Sequence, residues 1–366
     1  SIKRTSMSNY SSLLPVCFFS LGLTLLAPQD EVFSVATTYV EGQVLETQSV
    51  IEFTSELTAF SIVRDGEEID MGDRMGGQTT STRSTTVTDE FLTVKDGKLT
   101  SVRRTFDTLE GNSVRSMGGE EMVSTSNGPL EGVTLELTLD EDGEVVTNVV
   151  DGDEPDDETL LESHALALGL DALLPAGKIE VDESWDFDGT VLMQVLGLNL
   201  ESQLFPPQAP AERGEGGERG GRRGRGGNQN LAKLLLDAEW DGEAVLTEEL
   251  VDVEGLACRV IEFSADGEAE IEDPPARQPR GDRGGDAFGL VTPATFGGTG
   301  TLEISGKLFV SIDAGRPVSL EAECSATAET ETIRSGRGSE VTMNSTTETT
   351  LTIAIAVMEG EAESDE

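Results

Sequence analysis

Residues 301–328 read TLEISGKLFVSIDAGRPVSLEAECSATA, and this stretch decides the fold class. Leu302, Ile304, Leu308, Val310 and Ile312 occupy even positions, with Glu303, Ser305, Lys307, Ser311 and Asp313 between them. A period of two is that of a strand with one face buried and one face wet. Asp313-Ala314-Gly315-Arg316-Pro317 supplies turn chemistry, and Val318, Leu320, Ala322, Cys324 and Ala326 then resume the alternation. The stretch predicts a long antiparallel hairpin.

Working outward, the same grammar recurs. Residues 33–63 read as two long strands ended by Asp65-Gly66, residues 73–85 as a loop, and residues 87–94 and 99–109 as a hairpin across Asp96-Gly97. After a second loop at 111–129, residues 133–139 and 145–150 pair across Asp140-Glu141-Asp142-Gly143. Further hairpins are expected across Asp241-Gly242 and Asp266-Gly267, and residues 340–357 form the last strand, with Leu351, Ile353, Ile355 and Val357 in alternation. The pattern changes once. Residues 159–174 are unbranched and apolar, with Leu160, Leu161, His164 and Leu168 at helical spacing, Asp156 or Asp157 to cap the start, and Pro175 and Gly177 to stop it. The expected fold is mainly β: one or two curved antiparallel sheets of long hairpins, half-barrel-like, with one apolar helix, residues 159–174, packed on the concave face. Residues 178–185 and 191–200 add another strand pair.

Seventy acidic against 25 basic residues give a formal charge of −45, which makes nucleic acid and anionic membranes poor partners. Lys3 and Arg4 precede the apolar run 13–27, with polar residues after it, the pattern of a secretory signal peptide cleaved near Ala27 or retained as an amino-terminal anchor. The expected location is secreted or periplasmic, with membrane contact only through that segment if uncleaved. Residues 33–204 and 231–358 form two β-rich parts. They are interrupted by Arg-Gly insertions at 205–230 and 273–289, too poor in apolar residues to support a core, and followed by an acidic tail, 359–366. The insertions carry no aromatic residue interleaved with their arginines, so base stacking is not expected of them, whereas contact with the acidic faces of neighbouring copies is one reading.

Cys258 and Cys324 both sit on the apolar register of a strand, which leaves two readings, a disulfide or two buried thiols. His164 is the single histidine, so no multi-histidine metal centre exists, and no Gly-x-Ser-x-Gly elbow is present. Asp186 and Asp188 beside Trp185 share a face in the manner of a glycosidase acid pair, but in so acidic a chain Asp-x-Asp arises by chance. The clusters 140–142 and 151–154 fail the EF-hand pattern at Pro155 and Asp156, and read as hairpin tip and helix cap.

The order of hairpin, apolar helix, Leu174-Pro175 and then Val181-Asp182-Glu183-Ser184-Trp185, with Gly315-Arg316-Pro317-Val318 later, resembles an uncharacterised family of secreted bacterial β-rich proteins. In outline it is similar to the half-barrels of periplasmic lipoprotein carriers. Asp182 departs from that family's pattern, which has Gly there. The resemblance implies no activity, since the family has none assigned. The expectation is a non-enzymatic envelope protein without a cofactor, in a structural or interaction role with an envelope component. The alternative is a carrier of an apolar small molecule, its candidate cavity lined by Leu160, Leu161, His164, Leu168 and Trp185.

Overall fold

The structure is a computed structural model that describes residues 33–35, 38–69, 77–117, 119–162, 164–175, 177–198, 204–205, 237–271, 295–336 and 339–360. The expected signal segment, the Arg-Gly insertions (Phe205 excepted) and the tail after Gly360 lie outside these residues. The first half of the chain supplies β1 (Phe33–Val35), β2 (Val44–Arg64), β3 (Glu67–Ile69), β4 (Gly77–Lys95), β5 (Lys98–Met117), β6 (Glu120–Asn127), β7 (Thr134–Leu139) and β8 (Val145–Asp151). It is followed by β9 (Gly177–Ile179), β10 (Ser184–Phe187), α1 (Gly189–Val195), β11 (Glu239–Val253), β12 (Leu256–Ile271), β13 (Thr295–Ser311), β14 (Pro317–Gly336) and β15 (Ser339–Glu359).

Thirteen strands make one antiparallel sheet in the order β10-β11-β12-β13-β14-β15-β2-β4-β5-β7-β8, with β3 beside β2 and β6 beside β5. Its end strands do not pair with each other, so the sheet is open, while β1 and β9 form a separate two-stranded ribbon. The hairpin predicted over residues 301–328 is β13–β14, in register from Thr295 opposite Ile333 to Val310 opposite Pro317. It turns one residue early: β13 ends at Ser311, which is buried, and Ile312, expected inside, is 40% exposed. A seam between β15 and β2, from Val341 opposite Arg64 to Glu359 opposite Leu45, joins the carboxy-terminal strands to the amino-terminal ones.

The strands are longer than the apolar pattern shows. β2 and β15 each have 21 residues, roughly 70 Å of extended chain at about 3.3 Å per residue. Parts of both expected loops, 73–85 and 111–129, are strand: β4 starts at Gly77, β5 runs to Met117, and β6 returns from Glu120. These extensions are rich in Ser and Thr and lie beyond the buried core, so the alternation of apolar and polar residues disappears while the β-branched preference for extended backbone remains.

Asp65-Gly66 and Asp96-Gly97 turn the chain as expected, each residue at positive φ (53° and 85°; 51° and 75°). Asp241-Gly242 and Asp266-Gly267 do not. Both lie inside strands, and the turn between β11 and β12 is Glu254-Gly255, φ 52° and 88°. Phe187 lies opposite Gly242, Trp240 opposite Gly267, and Phe263 opposite Gly306, so each strand from β10 to β12 lays a ring over a glycine of the next. A Cβ on Gly267 would stand 2.8 Å from Cε3 of Trp240, and one on Gly242 would stand 2.6 Å from Cζ of Phe187. Glycine kinks under rings, together with register shifts such as that between Phe309 and Val310, curve the sheet at this end. Asp182 adopts φ 64°, a left-handed conformation that glycine favours.

The helix expected at 159–174 is absent. The segment makes two single 3₁₀ turns, Glu158–Leu161 and Leu170–Leu173, with Gly169 between them at φ 82°. Carbonyls that a helix would use internally accept side-chain hydrogen bonds instead: Leu160 O from His164, and Ala165 O and Leu166 O from Arg104. The α-helix among the described residues is α1, in a stretch that reads as strand; Asp188 caps its start by accepting from Val191 N, and Gly197 at φ 66° follows its end. It buries Leu192, Met193 and Val195. Together with the 170–173 turn it covers the larger core, which includes Ile51, Leu302, Ile304, Leu320 and Ile353. A second core gathers Leu160 and Leu204 with Val87, Phe106, Leu109, Leu135 and Leu137.

Candidate functional site

The inner face is where the sequence places a cavity, and its candidate residues are packed rather than arrayed round an opening. Leu160 is 6% exposed and His164 3%, with Leu161 against the second core, whereas Trp185 belongs to the larger core and donates from Nε1 to Leu173 O at 2.9 Å. Leu168 is half-buried. The five residues do not form one lining.

What the inner face does contain is a buried ion pair. Asp89 on β4 and Arg104 on β5 point inward at positions continuous with Val87, Phe91, Val102 and Phe106, and the guanidinium donates to both carboxylate oxygens, Nε to Oδ1 at 2.7 Å and Nη2 to Oδ2 at 2.8 Å. Its remaining donors hold the strap 158–174, Nη1 to Ala165 O at 3.0 Å and Nη2 to Leu166 O at 3.3 Å. His164 Nε2 donates to Leu160 O at 2.9 Å while Nδ1 is buried without a partner. Burial, and then the positive charge of Arg104, push the imidazole down to about 4, so it is neutral at pH 7. Tyr39, edge-on to Phe91, donates to Asp171 at 3.1 Å and ties the strap from its other side; burial holds its phenol well above the ordinary value. The sequence signal for Asp89 and Arg104 is two charged residues on the apolar register of adjacent strands, between Val87 and Phe91 and between Val102 and Phe106.

The cysteines do not form a disulfide. Cys258 lies opposite Ser311 and Cys324 opposite Ile304 on the same strand β13, so they are offset by about 23 Å at about 3.3 Å per residue, against the roughly 7 Å limit between bridged Cα atoms. Both are buried free thiols, pushed up to about 11 and about 12 by burial, with Asp252 adding to the effect on Cys258. Nor do Asp186 and Asp188 act as a pair, since Asp188 caps α1 and Asp186 is exposed on β10. Asp140 accepts from the backbone N–H groups of Asp142 and Glu144, and Asp157 from Thr159, the work of a hairpin tip and a turn cap.

The outer face carries the cleft. A trough of about 740 Å³ crosses the far halves of β13, β14, β15 and β2. Cross-strand pairing sets its lining in rows: Thr299, Glu329, Thr346 and Ala59 in one, Gly297, Glu331, Asn344 and Ser61 in the next. These residues alternate with the inward-facing register that ends in Ala326 and Thr330, so their side chains stand on the face the core does not use. Thr330 and Ser345 lie between the rows, hydrogen-bonded to one another at 2.6 Å. Gly298 allows β13 and β14 to approach closely, because a Cβ there would collide with the Glu329 carbonyl. Glu329 and Glu331 are exposed and have no cationic partner among the described residues. By contrast Lys307, on the same face toward β12, is held by Glu262 at 3.0 Å and Glu249 at 3.3 Å, and these carboxylates raise its pKa. Nothing in the sequence marks the trough, because four separate stretches, 59–61, 297–299, 329–333 and 344–346, come together only through cross-strand pairing.

No family model matches this chain, and no curated protein matches it. Among solved structures it is similar to an outer-membrane channel of Pseudomonas putida F1, at 9% identity and a TM-score of 0.20 over 90% of this chain and all of the other. A second is the secretin-domain β-barrel of InvG from the Salmonella SPI-1 injectisome, at 12% identity and a TM-score of 0.15 over 87% of this chain and 63% of that one. Among the described residues no helix is long and apolar enough to cross a membrane, and no three His, Cys, Asp or Glu side chains converge as metal ligands.

Proposed function

We propose that this is a non-enzymatic, extracytoplasmic interaction protein that works through the outer face of its sheet, with the trough over β13, β14, β15 and β2 as the contact site for a cationic segment of an envelope partner. The observation that carries the reading is a cleft of about 740 Å³ bordered by two carboxylates, Glu329 and Glu331, that nothing among the described residues neutralises. Carboxylates flanked by the hydroxyls of Ser61, Thr299 and Thr346 accept from ammonium or guanidinium donors, and the acidity of the whole chain steers such groups toward it. The basic and then apolar start of the chain, residues 3–27, supports the extracytoplasmic location. The apolar-carrier alternative is set aside, because Leu160 and His164 are packed in the core.

Calorimetric titration with a hexalysine peptide tests the reading. The wild-type chain binds at about 20 mM salt and loses affinity steeply toward about 300 mM. The exposed double variant Glu329→Gln/Glu331→Gln weakens binding at least tenfold at low salt. Equal affinity of the variant and the wild type overturns the assignment to the trough.

A further inference from the structure

The strap 158–174 is one length of chain that serves two cores. Its first turn, Glu158–Leu161, sends Leu160 into the second core, with Leu161 and Leu166 packed against it. Its second turn, Leu170–Leu173, buries Leu170 and Leu173 in the larger core together with Leu192 and Val195 of α1. Gly169 stands between the two at φ 82°, so close to α1 that a Cβ there would lie 3.1 Å from the Gln194 carbonyl oxygen. Tyr39 and Trp185 fasten the second turn further, through the Asp171 carboxylate and the Leu173 carbonyl. All of these contacts fall on one side of the glycine.

The other side, 158–168, is held differently. Leu160 is its fully buried apolar side chain among the described residues, and the rest of the attachment is polar: Arg104 donates to Ala165 O and Leu166 O, and His164 donates to Leu160 O. With Nε2 of the imidazole donating, buried Nδ1 carries a lone pair that meets no donor. A proton placed there would have no acceptor and would lie in the field of the Arg104 guanidinium. The charged groups that face the ring are Arg104 on β5 and Asp89 on β4, and both Asp89 oxygens already accept from Arg104. Glu131, between β6 and β7, is engaged by Leu109 N and Asn127, and Asp157, Glu158 and Glu162 of the strap itself are exposed. The closed strap therefore offers an imidazolium no counter-charge of its own.

We infer that the first half of the strap is an acid-opened latch: when His164 takes up a second proton, residues 158–168 swing away from β4 and β5 about Gly169 and uncover the second core around Phe106, while the second turn stays on α1 and the sheet stays folded. In the closed strap the imidazole titrates at about 4, and released into water it returns to the ordinary 6.5. The open form thus binds the proton first. Opening is independent of pH above about 6.5 and grows as pH falls below it, by about 30-fold at pH 5. The latch lies on the inner face, so it acts apart from the trough.

Hydrogen–deuterium exchange of the full chain, read by peptide mass spectrometry and corrected for the chemical exchange rate, makes the test at pH 7 and pH 5. Peptides from 158–168 are expected to lose at least tenfold of their protection at pH 5, while those from 170–173 and from β13–β14 keep theirs. His164→Gln retains a donor for Leu160 O and has no proton to gain, so its 158–168 segment shows the same protection at both pH values. A wild-type strap equally protected at pH 7 and pH 5 overturns the inference, and so does a uniform loss of protection over the whole sheet; both outcomes are read from the wild type even if the variant does not fold. If 170–173 opens together with 158–168, Gly169 is not the joint. A folded His164→Gln chain that opens in acid as the wild type does overturns the assignment to the imidazole and transfers it to the Asp89 carboxylate.

Discussion

The two ends of the sheet close their inner faces by different means. From β10 to β13 the cover is apolar and the contacts are steric, rings over glycines: Phe187 on Gly242, Trp240 on Gly267, Phe263 on Gly306. Around β4 and β5 the strap 158–174 is fastened by a buried ion pair and a neutral imidazole. The first end tolerates no extra atom and the second no missing partner, so each breaks under the substitution the other would survive.

The largest effect is expected at the ion pair. Arg104→Ala leaves the Asp89 carboxylate buried and releases the Ala165 and Leu166 carbonyls, a loss of about 3–5 kcal/mol in urea unfolding. Replacing both members with apolar residues, as in Asp89→Leu/Arg104→Met, recovers most of that loss; if the double variant is no better than the single one, the strap rather than the charge is what matters.

His164 sharpens the contrast through pH. Its folded value of about 4 lies below the ordinary 6.5, so between these values the unfolded chain takes up the proton first. Its contribution is therefore complete above about pH 6.5 and is lost as pH falls toward 4, by at most about 3 kcal/mol. The measurement is the difference in unfolding free energy between the wild type and His164→Gln across that window. Parallel curves for the two proteins would show that the imidazole is not the group responsible.

At the ring-and-glycine end, Gly267→Ala places a methyl group 2.8 Å from the indole of Trp240 and is expected to cost about 1–3 kcal/mol. Adding Trp240→Leu to it relieves the clash, so the two changes together cost less than their sum. Gly97→Ala is the control. Its Cβ meets nothing within 4 Å, but φ is +75°, so the expected cost is conformational, about 1 kcal/mol, and no partner substitution rescues it.

The same comparison explains what could be read beforehand. Asp96-Gly97 and Asp266-Gly267 are identical as dipeptides, and both suggest a hairpin tip. In the second the residue across the ladder is Trp240, and a cross-strand partner is a long-range fact that one sequence does not display. The alternation from Leu302 to Val310 was legible because one face is buried, and so was the mainly β, curved and antiparallel fold. The outer ends of β4, β5 and β6 were not, since both faces there are wet or half-buried and the pattern has nothing to mark. The apolar run 159–174 announced burial correctly and helix wrongly, because Arg104 and His164 take the carbonyls a helix needs. The trough was invisible because it joins residues 59–61, 297–299, 329–333 and 344–346 across four strands, a long-range arrangement that carries no periodic signal.

The seam between β15 and β2 sets the order in which the chain can reach its native state. Leu45 lies beside Glu359, so two local meanders, β2 to β8 and β11 to β15, each form from near neighbours while their closing partner is far away in the chain. Until β15 has been made and has found β2, a growing chain holds two partial sheets with exposed edges. Maturation is therefore a single late, slow zippering step of high contact order, and the window before it is when this protein is most vulnerable to aggregation.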